Sequence, residues 1–148
     1  MAKGNPQGAR ARSRARRLTL QGLYQWQLSG APAREIAAEL SASQNTRDTD
    51  VEYFEELLKG IVGESTALET AFGPHLDRPA TQLDPIERGI LLLSTYELKQ
   101  RLDVPYRVVL NEAVELAKGF GAEESHKYIN AVLDKTAAEL RKAERAAG

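Results

Sequence analysis

DPIERGILLLSTYEL, residues 84–98, is the segment that indicates the fold class most clearly. Asp84 can cap a helix, Pro85 suits the first helical position, and Glu87 at the third completes a capping box. Behind this start the apolar residues occupy more than one side of the helix. The segment is therefore predicted to be a central, buried helix, and nowhere in the chain does the alternation of a strand compete.

The same apolar spacing predicts further helices on both sides of this one. Toward the N-terminus they are expected at roughly 11–29, after Pro32, and from Asp50 to a stop at Gly73-Pro74. Toward the C-terminus, Gly121 is expected to close a helix in the left-handed conformation, and the last helix is expected to fray into the tail RKAERAAG. The predicted fold class is all-α, with six or seven helices in two groups.

These signals also predict the domain organisation. Residues 1–9 are expected to be a disordered basic arm, because they contain nothing that could anchor them to a core. A single helical domain is expected over 10–148. We predict subdomains at about 10–73 and 84–145, joined by a linker at 74–83 that contains two prolines.

Composition and charge exclude several classes of function. The chain has no cysteine, which excludes disulfide frameworks and thiol nucleophiles, and no apolar run approaches the roughly 20 residues that span a bilayer. A soluble, cytoplasmic protein is therefore expected. Of the 20 Lys and Arg residues, six lie in residues 1–17, which contain no acid, so the remainder of the chain is acidic. A cationic arm on an acidic body is typical of a protein that binds a polyanion at one end.

The arginines of the arm are the first candidate binding residues. On a helix, Arg10, Arg14 and Arg17 fall along one side, while Arg12 and Arg16 fall along another, so positive charge would surround the first turns. A solvated basic terminus is the alternative. Because the arginines run directly into an apolar helix, and because Arg-rich helical ends commonly bind RNA, we predict an RNA-binding role for all five.

Two aromatic residues follow on the same predicted helix. An aromatic side chain near arginines can stack an unpaired base, which would suit Tyr24 and Trp26. Each also fits a core, since Tyr24 continues the stripe of Leu20 and a single tryptophan often anchors packing. Spacing alone leaves both roles open.

No site for catalysis, a metal ion or a cofactor is predicted. His75 and His126 each lack a second histidine at metal-ligand spacing. Neighbouring acids such as Glu55-Glu56 diverge on a helix and do not converge on a substrate. No phosphate-binding or nucleophile motif is present. The chain is therefore expected not to be an enzyme.

Several long stretches resemble the NusB family of bacterial transcription antitermination factors. They are ARSRARRLTLQGLYQWQLS, DVEYFEELLKGI, LDPIERGILLLSTYEL and DVPYRVVLNEAVELAKGFGAEESHKYINAVLDK. The resemblance implies a fold of two three-helix bundles and a scaffold without enzymatic activity. It also implies binding of boxA RNA on nascent transcripts, including ribosomal RNA, together with the small-subunit ribosomal protein NusE. That pair would act in a transcription elongation complex with other Nus factors.

The resemblance further implies roles for individual residues. The RNA-binding segment of the family corresponds to Arg12, Arg14, Arg16 and Arg17, and Tyr128 is a further candidate on the RNA side. The positions where the family meets its ribosomal partner, or the RNA near it, correspond to Tyr24, Glu87, Phe120 and Glu124. The chain departs from the family pattern in having Glu at 124 where Asp is common and Tyr at 128 where Phe is common.

Three of these residues have local alternatives. Glu87 is part of the capping box, and its only role can be to accept a hydrogen bond from the backbone N–H of Asp84. Phe120 continues the apolar stripe of Val109 and can be plain core. Glu124 stands near a predicted helix start, where an acid is favoured by the macrodipole.

Two other functions fit the same sequence. The NusB fold also serves as an RNA-binding appendage of some RNA cytosine methyltransferases, although the length of this chain and its lack of cysteine argue against that origin. A self-associating helical protein is the other alternative, because family members include dimers that could cover the RNA-binding surface. The charge pattern does not decide the oligomeric state.

Overall fold

The computed structural model describes residues 5–147, and this part of the chain is all-α, without a strand, as predicted. The structure contains eight α-helices in this range, one or two more than predicted: α1 (Ala9–Ser29), α2 (Ala33–Ser43), α3 (Val51–Gly63), α4 (Ser65–Phe72), α5 (Pro85–Gln100), α6 (Tyr106–Phe120), α7 (Ser125–Leu140) and α8 (Lys142–Ala147). Short 3-10 helices occur at Gly73–His75 and Ala80–Gln82. Lys3 of the predicted arm lies outside the described residues.

The chain divides into two compact units after Gly63, not within the predicted linker at 74–83. The long helix predicted from Asp50 to Gly73 is interrupted because Glu64 leaves the helical conformation (φ −114°, ψ 13°) beside Gly63, a poor helix former. The following α4 belongs to the second unit, where it packs on α5 and α7.

The first unit is a three-helix bundle of α1, α2 and α3. Its core includes Leu23 and Phe54, both fully buried. Gly22 lets α1 approach α3 closely, since a Cβ at this position would lie 3.0 Å from the side chain of Leu58. Within the predicted arm, Asn5 contacts the start of α3: its Nδ2 donates a hydrogen bond to Asp50, and its Oδ1 accepts one from the backbone N–H of Val51 at 2.8 Å.

The second unit is built around α5, which packs on α4, α6 and α7. The predicted start of this helix is confirmed, because Oδ1 of Asp84 accepts a hydrogen bond from the backbone N–H of Glu87 at 2.8 Å. Residues 89–98 of α5 are all buried, which accounts for apolar residues on more than one of its sides. The predicted central helix is thus confirmed.

Two expectations about helix ends are wrong. Gly121 closes α6 with φ −89°, which is not left-handed; glycine fits there because a Cβ would lie 2.6 Å from Oγ of Ser125 and 2.9 Å from the carbonyl oxygen of Ala117. The left-handed residue is Glu124, with φ 68°. The tail does not fray at once, since Arg141 is buried and α8 follows it.

None of the helices in the described range has both the length and the apolar composition that a membrane crossing requires.

Candidate nucleic-acid interface

One side of α1 presents a continuous row of exposed residues, which we call the outer row. Its members recur at alternating spacings of four and three: Arg10, Arg14, Arg17, Gln21, Tyr24 and Leu28. At a rise of 1.5 Å per residue the row extends over about 27 Å. Its first half is cationic, and its second half ends in two exposed apolar side chains, with Tyr24 40% and Leu28 65% exposed. The outer row thus combines groups for phosphates with a ring for a base.

The other two arginines of the segment pack against α3, with Arg16 buried and Arg12 partly exposed. Arg16 is only 3% exposed, and its guanidinium carbon lies 5.7 Å from the ring centroid of Tyr53 on α3. Arg12 lies closer to the same ring, at 4.4 Å, and 3.9 Å from the carboxylate of Asp50. The expectation that charge surrounds the first turns is therefore wrong, because these two side chains pack on an aromatic ring.

The exposure of Tyr24 bears on the choice between core and surface that the sequence left open. Leu20 and Leu23 of the same helix are buried, whereas Tyr24 points to solvent, so the ring is not part of the core. Trp26 is half-buried.

Tyr128 belongs to a cluster in the second unit, the Tyr128 cluster, formed by Asp77, Arg78, Glu87 and Tyr128. The backbone N–H of Asp77 donates to the Tyr128 hydroxyl at 3.2 Å, and the Arg78 guanidinium lies 4.6 Å from the ring centroid. Asp77 holds Arg78 through two hydrogen bonds, at 2.6 Å from Nε and 3.2 Å from Nη2. This pairing lowers the pKa of Asp77, and burial raises the pKa of the Tyr128 hydroxyl.

Glu87 joins the cluster electrostatically. Burial, followed by the negative charge of Asp84, raises the pKa of its carboxyl, while the charge of Arg78 lowers it. Glu87 therefore serves the start of α5 through its backbone and faces the cluster with a buried carboxyl. Glu87 and Tyr128 thus belong to the same cluster, although the family resemblance assigns them to different partners.

Phe120 and Glu124 lie at the exposed turn between α6 and α7. Although Phe120 continues the stripe of Val109, it is 52% exposed, so the core alternative is wrong. Glu124 is exposed and pairs with Lys127, Nζ to Oε2 3.0 Å, and makes no side-chain cap bond to α7.

Sequence reasoning missed Arg78 and Leu28. Arg78 lies in the segment taken as a linker, where no periodicity marks a side chain as exposed or paired. Leu28 continues the apolar spacing of Leu20 and Tyr24 near the end of α1, and that spacing gives no sign that the side chain is 65% exposed.

An all-helical chain whose first helix carries arginines and an exposed tyrosine in one row has the features of a small nucleic-acid-binding protein. The NusB family model matches residues 13–138, and the chain belongs to the NusB family. It is 53% identical to the transcription antitermination protein NusB of Alcanivorax borkumensis over 140 residues, 95% of this chain and 93% of that protein. The protein of the same name from Paraburkholderia xenovorans is 53% identical over 134 residues, 90% of this chain and 93% of its own.

Solved structures agree with the fold. The structure of T. maritima NusB matches with a TM-score of 0.74 at 25% identity, over 94% of both chains. A chain in the crystal structure of antitermination factors NusB and NusE in complex with dsRNA matches with a TM-score of 0.76 at 26% identity, over 89% of this chain and 99% of that one. The relatives are named as transcription antitermination proteins and not as enzymes, which agrees with the expectation that the chain is not an enzyme.

Proposed function

We propose that this protein is a cytoplasmic transcription antitermination factor that binds boxA RNA of nascent transcripts, including ribosomal RNA, together with a ribosomal protein of the NusE type. It would do so within an elongation complex that contains other Nus factors. The observation that carries the proposal is the outer row, with three exposed arginines leading to an exposed tyrosine on one side of α1. A related chain in a solved complex with NusE and RNA supports it.

In this proposal the outer row binds RNA by two kinds of contact. Arg10, Arg14 and Arg17 contact phosphates, which supplies affinity without sequence choice. Tyr24 stacks a base, a contact typically worth about 1–3 kcal/mol. Arg12 and Arg16 support this surface from inside by fixing α1 on Tyr53.

The second unit provides the surface for the ribosomal partner. Residues 64–148 contain 14 acidic and 11 basic residues, so this unit favours a basic protein over a polyanion. Phe120 is an exposed aromatic of the type that anchors interfaces, and Glu124 follows it four residues later. Sequence choice would then belong to the pair of proteins, not to the arginines.

The test is a titration of labelled boxA RNA and a scrambled RNA of equal length, with and without the ribosomal partner, at two salt concentrations. We expect weak, salt-dependent binding alone and tighter, boxA-selective binding with the partner. Tyr24→Ala should weaken binding about tenfold, whereas Tyr24→Phe should retain most of it. Equal affinity with and without the partner would contradict the proposal.

Self-association is the alternative use of the same row, favoured by the exposure of Leu28. If α1 pairs with a second copy, RNA and the dimer compete for the same residues. Sedimentation of the protein with increasing RNA separates the cases, because competition converts dimer to monomeric complex, whereas an independent dimer interface leaves the dimer intact.

A further inference from the structure

Arg78 is held on the face of Tyr128 by a network that the function proposed above does not use. Its guanidinium carbon lies 4.6 Å from the ring centroid, and Asp77 occupies its Nε and Nη2. Asp77 also fixes the ring, because its backbone N–H donates to the Tyr128 hydroxyl. The side chain of Arg78 is nevertheless 39% exposed, so a ligand in solvent can reach the guanidinium, whose Nε and Nη2 form the two-donor fork that Asp77 occupies.

The chemistry of this fork points to a phosphate. A guanidinium binds carboxylate and phosphate oxygens with the same planar, two-bond geometry, and stacking on an aromatic ring orients it. The Asp77 side chain is 62% exposed, so solvent and salt screen its pairing with Arg78 although that pairing is bidentate. A phosphate can therefore replace this carboxylate.

The surrounding charges explain why a single arginine matters here. The second unit has more acids than bases, and Glu87 also faces Arg78. A phosphate has few places to bind on such a unit. Arg78 is the basic residue of the Tyr128 cluster, and Tyr128 is the candidate RNA-side residue of this unit.

We propose that Arg78 contacts an RNA phosphate beside Tyr128, and that Asp77 occupies the same fork until that phosphate replaces it. This inference rests on the proposed RNA-binding function and assigns the second unit its own phosphate contact. Because the fork is shared, Arg78 and Asp77 have opposite effects: removing the guanidinium weakens RNA binding, and removing the competing carboxylate strengthens it.

The chain contains a matched control elsewhere in the second unit. Arg145 lies 5.2 Å from the ring centroid of Tyr106 and pairs with Asp134, Nη1 to Oδ1 2.7 Å. Like Arg78 and Asp77, this pair joins an aspartate to an arginine beside a tyrosine ring; Arg145 lies on α8 and Asp134 on α7, and neither is among the residues assigned to RNA. Variants of the two pairs change net charge identically.

The experiment measures the dissociation constant of boxA RNA in the presence of the ribosomal partner, as a function of salt, for Arg78→Ala, Arg78→Lys, Asp77→Asn, Arg145→Ala and Asp134→Asn. For Arg78→Ala we expect about fivefold weaker binding and a slope of log K against log salt that is smaller by about 0.7, the value for one phosphate on a single strand. Arg78→Lys should keep the slope, because the charge remains. Asp77→Asn should bind more tightly, and both control variants should match the wild type.

Several results would overturn the proposal. One is an unchanged salt slope in Arg78→Ala; another is an equal gain in Asp77→Asn and Asp134→Asn, which would show a general charge effect. A third is weaker binding of Arg78→Ala to the ribosomal partner without RNA, which would place Arg78 in the protein interface. Circular dichroism melts check that each variant folds. If the wild type itself fails to select boxA, the proposed function fails instead, so the two failures are distinguishable.

Discussion

Arg141 donates a hydrogen bond from Nε to the carbonyl oxygen of Leu98 at 2.7 Å and thereby closes the C-terminal end of α5. Its Nη2 donates to the carbonyls of Glu97 and Arg101, at 3.1 and 3.0 Å. The carbonyls of Glu97 and Arg101 also accept from backbone N–H groups, so Arg141 adds a second donor to each, and a cation is favoured at this end of a helix. Arg141 lies beyond residue 138, where the family match ends. The fold therefore uses a segment that the family model does not cover.

Arg141→Met should destabilise the protein by about 1–3 kcal/mol, because it leaves the buried carbonyl oxygen of Leu98 without the donor that it has. Urea unfolding measures the effect. Lys142→Met is the control, since this neighbouring side chain is exposed. Equal stability of the two variants would show that the Arg141 contacts contribute nothing.

Arg16 and Arg17 are sequence neighbours with opposite expected effects. Arg16→Ala should lower the free energy of unfolding by about 1–3 kcal/mol, because a buried side chain packed on Tyr53 is lost. Arg17→Ala should leave stability unchanged and reduce the salt slope of RNA binding by about 0.7. Chemical denaturation and RNA titration on both variants check this. The division of α1 into two faces is wrong if either variant shows the effect assigned to the other.

Glu124 combines backbone strain with a candidate partner contact. A non-glycine residue at φ 68° costs about 1 kcal/mol relative to glycine, so Glu124→Gly should stabilise the fold by that amount while weakening binding of the ribosomal partner. Thermal melts and a partner titration measure the two effects. Glu123→Gly is the control and should not stabilise the protein, because the φ of Glu123 is not positive. A Glu124→Gly variant with unchanged partner affinity would remove Glu124 from the interface.

Glu87 should make stability depend on pH. Burial and Asp84 raise its pKa above the ordinary value of 4.5, so the folded state holds this proton more tightly than the unfolded chain. The stabilisation that Glu87 contributes to the folded state is therefore fully present below about pH 4.5, and it is lost as the pH rises through the pKa of the folded state.

Glu87→Gln removes this titration and keeps an oxygen acceptor for the backbone. We expect its melting temperature to equal that of the wild type at pH 4 and to exceed it at pH 8. Glu115→Gln, at an exposed position of α6, controls for the loss of one negative charge. A variant melting temperature below that of the wild type at pH 8 would contradict the assignment.

Local signals in the sequence were sufficient for some of these features. The capping residue Asp84 and the all-round apolar pattern correctly predicted the buried helix α5. Helical spacing also separated Arg12 and Arg16 from Arg10, Arg14 and Arg17, but it did not show that one set packs on Tyr53, because that residue lies on another helix.

Other features depend on tertiary contacts that leave no local pattern. The need for glycine at Gly121 arises from Ser125 and Ala117, not from its own backbone angles. The order of the C-terminal tail depends on Arg141 finding carbonyls of α5, more than 40 residues away in sequence. A basic side chain in a polar tail looks solvated until such a partner is known.

The two faces of α1 also predict how the segment can change between relatives. The outer arginines act through charge, so lysine should replace them without loss, whereas the inner guanidinium groups are planar and packed on a ring. Position 16 should therefore covary with the aromatic residue at 53, and positions 10, 14 and 17 should vary independently of it. We therefore expect a count of basic residues in this helix to overstate its binding capacity, because Arg16 is buried and Arg12 also packs on the ring of Tyr53.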